Sequence, residues 1–278
     1  MRANENETEK EGKKKRKLKL KFRTKLFILI ILIVLYSFTL GTKIIVTKEY
    51  KIKTNKLSSD YHGFKILQFS DLHYGSSIHK KEVKNLVSKI NAAKADIVIF
   101  SGDLINKNYK IDNNEKEFLK NELKKIDSEY GCFYVTGEED DSSATSILNL
   151  AGFIDLKNSE QQIFGSKSDS FLLISSTSKK YFESNPTPPS FKILVIHNPS
   201  DYDKYEDFNF DVVLSGHTHN GQINIYGLKN IIIDGKYKND YQKIGNTKLY
   251  INRGIGTSKI KARLFDEPTI NLYRIYIK

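Results

Sequence analysis

The sequence predicts an α/β domain behind an apolar N-terminal segment, and two observations support this fold class. First, strand patterns at 64–70, 96–100 and 132–135 alternate with helical spacing at 83–93 and 114–126. Such alternation implies parallel strands joined by right-handed crossovers. Second, polar residues follow the strand patterns directly, and open α/β sheets carry their sites outside the carboxyl ends of their strands.

The second half of the chain predicts mainly β-structure with turns. A short helix and turn are expected at 148–154, and a proline-rich loop at 184–190. Before the first strand, 48–58 is typical of a strand or linker. We expect one domain over 47–278. Further short strands are expected at 171–175, 191–196, 223–226, 231–233, 249–252 and 269–277.

The N-terminal region predicts a membrane anchor. Residues 1–25 hold eleven Lys or Arg against four Glu, and the next seventeen residues carry no charge. Such a length lies at the short end of the ~17 to 25 residues that span a bilayer, and Ile44, Ile45 and Val46 can extend it. We therefore predict a basic cytoplasmic tail at 1–25, a single-pass signal anchor in the lipid bilayer at 26–46, and an extracytoplasmic domain. A cleaved signal peptide is the alternative.

The charge distribution argues against nucleic acid as a partner. The tail contributes seven of the twelve formal positive charges, which leaves five for the other 253 residues. A nuclease would need a basic groove, which the weakly charged domain does not indicate. The single cysteine, Cys132, cannot form a disulfide within the chain, and its strand-like surroundings predict a small core residue.

Carboxylates and histidines concentrate at the ends of the predicted strands. Two pairs, at 71/73 and 217/219, have the i, i+2 spacing that directs two side chains to one side of an extended chain. A histidine taken alone is as readily an ordinary hydrogen-bonding residue, but the set as a whole predicts metal binding. The candidate ligands are Asp71, His73, Asp103, Glu138, His197, His217 and His219.

Seven ligands exceed the needs of one ion and suggest two. Mixed carboxylate and imidazole ligands suit Mn, Fe, Zn or Co better than Ca or Mg. Two such divalent transition-metal ions ~3.5 to 4 Å apart, bridged by one carboxylate, would hold a hydroxide for attack on phosphorus.

Five stretches of this chain carry a resemblance to a known family. They are Ser70-Asp71-Leu72-His73, Ser101-Gly102-Asp103-Leu104, Gly137-Glu138-Glu139-Asp140, His197-Asn198-Pro199 and Gly216-His217-Thr218-His219-Asn220-Gly221-Gln222. In these stretches the chain resembles the calcineurin-like metallophosphoesterases, and 250–257 is similar to their membrane-associated bacterial branch. The resemblance implies a four-layer αββα sandwich of two mixed sheets. It also implies that Asp71, His73 and His219 hold one ion, that Asp103 bridges, and that His197 and His217 hold the second.

The third stretch departs from the family, in which Gly-Asn-His-Asp is usual. Glu138 stands for the asparagine and can still ligate the second ion. Glu139 stands for the histidine that contacts phosphate, and it can act as an acid only if the site raises its pKa. Asp140 stands for the acidic residue that orients this histidine. Glu139 and Asp140 are therefore the catalytic candidates. Alternatively, the loop shifts so that Asp140 or Asp141 ligates. Asn220 replaces a usual glycine and tolerates positive φ.

The leading functional prediction is a membrane-anchored two-metal phosphoesterase. It would hydrolyse a phosphomonoester, phosphodiester or pyrophosphate bond. The expected substrate is a phosphorylated small molecule or a phosphorylated component of the cell envelope. The alternative is a metal-binding pseudoenzyme that recognises a phosphorylated ligand without efficient turnover, because Glu138 and Glu139 replace Asn and His. Loops at 106–114, 175–190 and 227–246 are candidates for substrate selection. His62 and His79 match no motif and are expected at the surface, and no protein partner can be inferred.

Overall fold

A long N-terminal helix precedes the folded domain. The computed structural model describes residues 2–157, 159–165, 171–176, 191–225, 235–258 and 260–278. Helix α1 covers Arg2–Phe38, and a 3-10 turn follows at Leu40–Thr42. Within the segment Lys13–Thr42, an 18-residue window has a mean hydropathy of 2.2, and the segment is long and apolar enough to cross a membrane. It is a candidate transmembrane segment, and the limits 1–25 and 26–46 stay predictions.

The first sheet has six strands in the order β1-β12-β2-β3-β4-β5. Neighbouring strands pair in parallel, except that β12 and β2 are antiparallel. The strands are β1 (Val46–Thr54), β2 (Lys65–Phe69), β3 (Ile97–Phe100), β4 (Cys132–Tyr134), β5 (Phe153–Asp155) and β12 (Thr269–Ile277).

The second sheet also has six strands, in the order β10-β11-β9-β8-β7-β6. Its three central pairings are parallel, and the two outermost strands pair antiparallel. The strands are β6 (Glu160–Phe164), β7 (Phe171–Ser175), β8 (Phe191–Val195), β9 (Val212–Ser215), β10 (Tyr241–Ile244) and β11 (Thr247–Ile251). Both sheets are mixed, which confirms the predicted fold class.

The apolar core lies in layers around these sheets. Between the sheets, Ile66 and Ile99 pack in one cluster with Ile193 and Leu214. Three helices cover the outer face of the first sheet: α2 (Lys80–Ala93), α3 (Asn113–Leu123) and α4 (Ser142–Leu150). On the outer face of the second sheet, Tyr202 of a 3-10 helix (Pro199–Lys204) packs in the third apolar cluster. The fourth layer of the described chain therefore contains short 3-10 helices.

Local signals explain where two of the helices lie. In α2, Val83, Leu86, Val87 and Ile90 are buried at helical spacing. In α3, the Asp112 side chain accepts a hydrogen bond from the Glu115 N–H at 2.8 Å, which caps the first turn. Both helices were predicted from spacing, and both are confirmed.

Three strands and one helix start differ from the predictions. Helix α4 begins at Ser142 rather than near residue 148, because the Asp141 carboxylate caps its first turn. The residues of β5, β6 and β10 were not predicted as strands. Two of these, β6 and β10, are edge strands with mostly exposed or half-buried side chains, so their hydrophobic signal is weak.

The remaining predictions either are confirmed or fall on segments outside the described residues. The strand or linker at 48–58 is mostly strand, since β1 pairs along its full length with β12. His62 and His79 are exposed, and Cys132 is buried, as predicted. Residues 184–190 and 231–233, and much of the proposed selection loops at 175–190 and 227–246, lie outside the described residues. Residue 223 forms only an isolated bridge with Leu264.

Candidate metal centre

The carboxyl ends of strands from both sheets bring all seven candidate ligands together. Asp71 follows β2, Asp103 follows β3, and Glu138 follows β4 in the first sheet. His197 follows β8, and His217 and His219 follow β9 in the second sheet. Their ligand atoms form overlapping groups whose members lie within 4.8 Å of one another.

One group contains Asp71, His73 and His219, and all three are buried. The Nε2 atoms of His73 and His219 are 2.9 Å apart, and their rings stack with centroids separated by 4.9 Å. Asp71 Oδ1 lies 3.5 Å from His219 Nε2 and 4.0 Å from His73 Nε2. Two imidazole nitrogens and a carboxylate oxygen therefore face one small volume.

The second group contains Glu138, His197 and His217. Glu138 places Oε2 2.8 Å from His197 Nε2 and Oε1 2.7 Å from His217 Nδ1. Both ring nitrogens are buried, yet neither has a hydrogen bond of good geometry with another group in the described chain. Nitrogens that point into a carboxylate pocket without a well-aligned hydrogen bond fit a divalent ion.

Asp103 lies between the two groups. Its Oδ2 is 3.7 Å from His73 Nε2 and 3.3 Å from His197 Nε2. Its Oδ1 accepts a hydrogen bond from the Glu139 N–H at 3.0 Å, which fixes the carboxylate. One carboxylate that reaches a member of each group has the arrangement of a bridging ligand.

The backbone of the centre is strained. Ten non-glycine residues of the described chain have positive φ, and seven of them lie in the predicted motifs. Such conformations cost on the order of 1 kcal/mol each and cluster at functional sites. Asn220, which stands where the family usually has glycine, has a φ of +52°. The seven motif residues with positive φ are Asp71, His73, Asp103, His217, His219, Asn220 and Gln222.

Glu139 contacts a candidate ligand directly. Its Oε2 lies 3.1 Å from His73 Nδ1 and accepts a hydrogen bond from the Lys107 N–H at 2.8 Å. Ser258 donates to its Oε1 at 3.4 Å. The hydrogen bond with His73 holds the pKa of Glu139 below its usual value, although partial burial opposes this. The raised pKa that an acid role would need is therefore not found.

Asp140 and Asp141 bind backbone groups. Asp140 Oδ2 accepts from the N–H groups of Asp103 at 2.8 Å and Gly137 at 2.9 Å, and its Oδ1 accepts from Leu104 at 2.7 Å. Burial raises the pKa of Asp140, and these backbone hydrogen bonds oppose the shift. Asp141 caps α4. Because both carboxylates already have partners, the geometry favours Glu138 as the ligand from this loop.

Burial and neighbouring charges shift the pKa values of His219 and His197 in opposite directions. Burial, with His73 and the Arg263 guanidinium nearby, lowers the pKa of His219 well below its usual value and keeps the ring neutral. Burial alone would also lower the pKa of His197, but contacts with Asp103 and Glu138 raise it well above its usual value. Burial raises the pKa of Asp71. Burial would also raise the pKa of Glu138, but its contacts with His197 and His217 outweigh burial and lower it. Neutral imidazole and ionised carboxylate are the forms that ligate metals.

Sequence reasoning missed the buried support behind the first group. Arg263 is fully buried, and one terminal nitrogen lies 3.2 Å from His219 Nδ1. That nitrogen donates to the carbonyl oxygens of Arg253 and Gly256 at 2.7 Å each. Asp266 pairs with both arginines, at 3.0 Å to Arg253 and 3.5 Å to Arg263. A single arginine in a loop has no sequence pattern that would have predicted this position.

The comparison with known protein families agrees with this geometry. The model of the calcineurin-like phosphoesterases matches residues 64–221, more than half of the chain, and this range contains all seven candidate ligands. The chain belongs to this family of metal-dependent hydrolases.

Curated bacterial proteins are similar over most of their length. YkuE of Bacillus subtilis, an uncharacterised metallophosphoesterase, is 28% identical over 86% of this chain and 88% of its own. LpxG of Chlamydia muridarum, named a UDP-2,3-diacylglucosamine pyrophosphatase, is 26% identical over 77% of this chain and 84% of its own. The phosphodiesterase YaeI of Escherichia coli is 22% identical over 76% of this chain and 82% of its own. The metallophosphoesterase expectation is thereby confirmed.

Proposed function

We propose that this chain is a membrane-anchored, two-metal phosphoesterase that hydrolyses a phosphomonoester, phosphodiester or pyrophosphate bond. The observation that carries the proposal is Asp103, whose Oδ2 reaches His73 in one group and His197 in the other. A carboxylate between two ligand groups is the arrangement by which binuclear hydrolytic centres hold adjacent ions.

The proposed ligand sets follow the two groups. Asp71, His73 and His219 would hold one ion, and Glu138, His197 and His217 the other, with Asp103 bridging. This mixture of oxygen and nitrogen donors suits Mn, Fe, Zn or Co. When bound, such ions would activate water and neutralise charge on the phosphoryl group. The protein supplies fixed ligand positions, since strained backbone and buried hydrogen bonds hold most of these side chains.

The substrate class is proposed from the relatives. LpxG is named for a nucleotide-linked diacylglucosamine pyrophosphate, and YaeI for a phosphodiester. A phosphorylated component of the cell envelope would fit an enzyme whose candidate transmembrane helix precedes the domain. We place the domain outside the cytoplasm, since the basic tail 1–25 favours the cytoplasmic side.

The direct test is hydrolysis of bis(p-nitrophenyl) phosphate by the detergent-solubilised full chain with added Mn²⁺. We expect turnover that depends on metal and falls by at least ~10³-fold in Asp103→Ala, because both proposed ions lose their shared ligand. Asp201→Ala, a change at an exposed carboxylate in a 3-10 helix, is the matched control and should retain activity. Equal rates for Asp103→Ala and the wild type would refute the proposal.

Glu139 supports a second candidate function, a metal-binding pseudoenzyme. Its carboxylate is held against His73, and its pKa is lowered, so it is a poor proton donor to a leaving group. Loss of acid assistance typically costs ~10²- to 10⁴-fold in rate. In that case the double variant Glu138→Asn, Glu139→His should gain turnover over a wild type that binds Mn²⁺ without hydrolysis. Equal turnover of the two proteins would exclude this alternative.

A further inference from the structure

A cavity beside the first ligand group is not explained by metal binding. It has a volume of about 230 Å³, and its wall includes His219 and Ser258. Ser258 donates to Glu139, so the cavity directly adjoins the candidate metal centre. The rest of its wall includes two apolar side chains, Ile223 and Ile260. A purely hydrophilic phosphoester would leave these isoleucines without a partner.

Two hydrogen-bonded segments, 222–225 and 260–265, form the outer side of this cavity, and we call them the apolar lip. Leu264 donates its N–H to Gln222 O, and Asn224 donates its N–H to Leu264 O, each at 2.9 Å. The Gln222 side chain also donates to Ile260 O at 2.9 Å. The apolar lip is therefore a fixed element.

The lip exposes large apolar side chains whose contact with water is unfavourable. Beyond residue 46, eight large hydrophobic side chains of the described chain are exposed, and three of them lie here. Ile225, Ile260 and Phe265 are 41%, 55% and 59% exposed. Phe265 also has φ of +55°, which is unfavourable for a bulky residue. An apolar surface beside a ligand cavity indicates an interaction site.

The lip is continuous with the end of the candidate transmembrane helix. Arg263 within the lip donates its N–H to Ser37 O at 2.9 Å. Gly41 packs so closely on Arg263 O that a Cβ there would collide with it. Phe38 at the end of this helix and Leu40 in the 3-10 turn that follows are 55% and 57% exposed. When the helix spans a bilayer, the lip must therefore lie close to the bilayer surface.

The charge on the lip also suits a bilayer. Lys261 is exposed next to Ile260. A lysine beside apolar side chains is the usual arrangement at a membrane interface, where its ammonium contacts lipid phosphates and the apolar groups enter the acyl region. A protein partner would be held off the lip by the same bilayer.

We infer that the apolar lip is inserted in the membrane interface and that the substrate is a bilayer amphiphile with a phosphoester or pyrophosphate head. Its apolar chain lies against Ile223 and Ile260, while its phosphate reaches the ligand groups around His219. This inference rests on the proposed phosphoesterase function and on the anchor, and it specifies the substrate class.

The first test measures membrane depth in the full chain, reconstituted in nanodiscs of phosphatidylethanolamine and phosphatidylglycerol. Nitroxide labels replace Ile260, Phe265, Ile154 and Ile30, one at a time; Cys132 is buried, so labelling of the folded protein is selective. Ile154 is the matched control, since it is 44% exposed on β5, at the other end of the first sheet from β1.

We expect collisions with oxygen to exceed those with a water-soluble nickel complex at residues 260, 265 and 30, and the reverse at 154. Lip labels as aqueous as residue 154, with residue 30 in lipid, would overturn the inference and leave the anchor intact. An aqueous label at residue 30 would overturn both.

The second test compares hexadecyl and methyl p-nitrophenyl phosphate in mixed micelles, two esters that differ only in their alkyl chain. The wild type should prefer the hexadecyl ester in kcat/KM, and Ile223→Ser with Ile260→Ser should lower that ratio by at least about tenfold. Ile260→Leu and the control Ile154→Ser should keep the wild-type ratio. Hydrolysis of both esters without a chain-length preference would overturn the inference, whereas hydrolysis of neither would overturn the proposed function itself.

Discussion

Glu139 is the residue whose role changes most between sequence and structure. The sequence treats it as a substitute for a catalytic histidine, but its Oε2 lies 3.1 Å from His73 Nδ1. A carboxylate on the outer nitrogen of a ligating histidine fixes the ring and raises its basicity, and its loss typically costs 10- to 100-fold in metal affinity.

We therefore expect Glu139→Gln to weaken Mn²⁺ binding by ~10- to 100-fold, measured by electron paramagnetic resonance titration. Glu117→Gln, an exposed change on α3, is the control. Equal Mn²⁺ affinity of Glu139→Gln and the wild type would show that Glu139 does not orient His73.

Asp140 is a residue for which we predict a structural effect. Its carboxylate accepts three backbone N–H groups that hold the turns at Gly102–Leu104 and Gly137. An unsatisfied buried donor costs ~1 to 3 kcal/mol, so Asp140→Ala should lower the free energy of unfolding by at least about 2 kcal/mol. Asp141→Ala removes only a helix cap and should cost about 1 kcal/mol. Urea denaturation measures both, and equal losses would contradict this assignment.

The sequence could predict which residues meet but not how each is held. Asp71, Asp103 and His197 were predictable because the residue type and its place at a strand end are both local properties. The contacts of Arg263 with His219, and of Glu139 with His73, join residues 44 and 66 positions apart. Such pairs depend on loop conformation, which residue spacing does not determine.

At the scale of elements, Asp240 connects β1 to the loop that supports the centre. Its Oδ2 accepts from Lys48 of β1 at 2.6 Å and from Arg253 at 2.8 Å. Burial alone would raise the pKa of Asp240, but these two cations outweigh burial and lower it. The native state therefore favours the ionised carboxylate more than the unfolded chain does.

This shift sets the direction of a pH effect. The stabilisation is present above the unfolded pKa of ~3.9 and is lost as pH falls through the lower native pKa. We expect Asp240→Asn to be less stable than the wild type at pH 7, and the difference to shrink as pH falls from ~5 toward 3. Thermal unfolding across this range provides the measurement; a gap that widens toward pH 3 would contradict the expectation.

Elements with strong periodicity were predictable, and edge elements were not. The buried stripe of α2 and the apolar runs of β2 and β3 have clear patterns. In contrast, β10 alternates between exposed and half-buried residues, and it is a strand because it pairs with β11. Its conformation depends on a neighbour supplied by the fold.

At the scale of the whole molecule, the candidate transmembrane helix and the domain meet between Phe38 and Val46. The sequence assigns 26–46 to the membrane, but the structure ends α1 at Phe38 and begins β1 at Val46. Ile45 packs in the cluster beneath α2, and Lys89 donates to its carbonyl oxygen. Lys43 also pairs with Glu82 of α2 at 3.3 Å. Hydropathy alone does not distinguish a buried strand start from the end of a membrane span, because both are apolar, so the limit at residue 46 stays a prediction.

This boundary predicts different stabilities for two soluble fragments. A fragment of residues 43–278 retains Ile45 and the pairing of Val46 and Thr47 with β12, whereas 48–278 loses both. Because burying an isoleucine contributes ~1.5 to 3 kcal/mol, the shorter fragment should unfold about 5 °C lower. Differential scanning calorimetry at equal metal content tests this, and Ile45→Ser in the longer fragment should reproduce most of the loss. If both fragments unfold at one temperature, residues 43–47 belong to the anchor and the sequence-based limit at residue 46 is the better one.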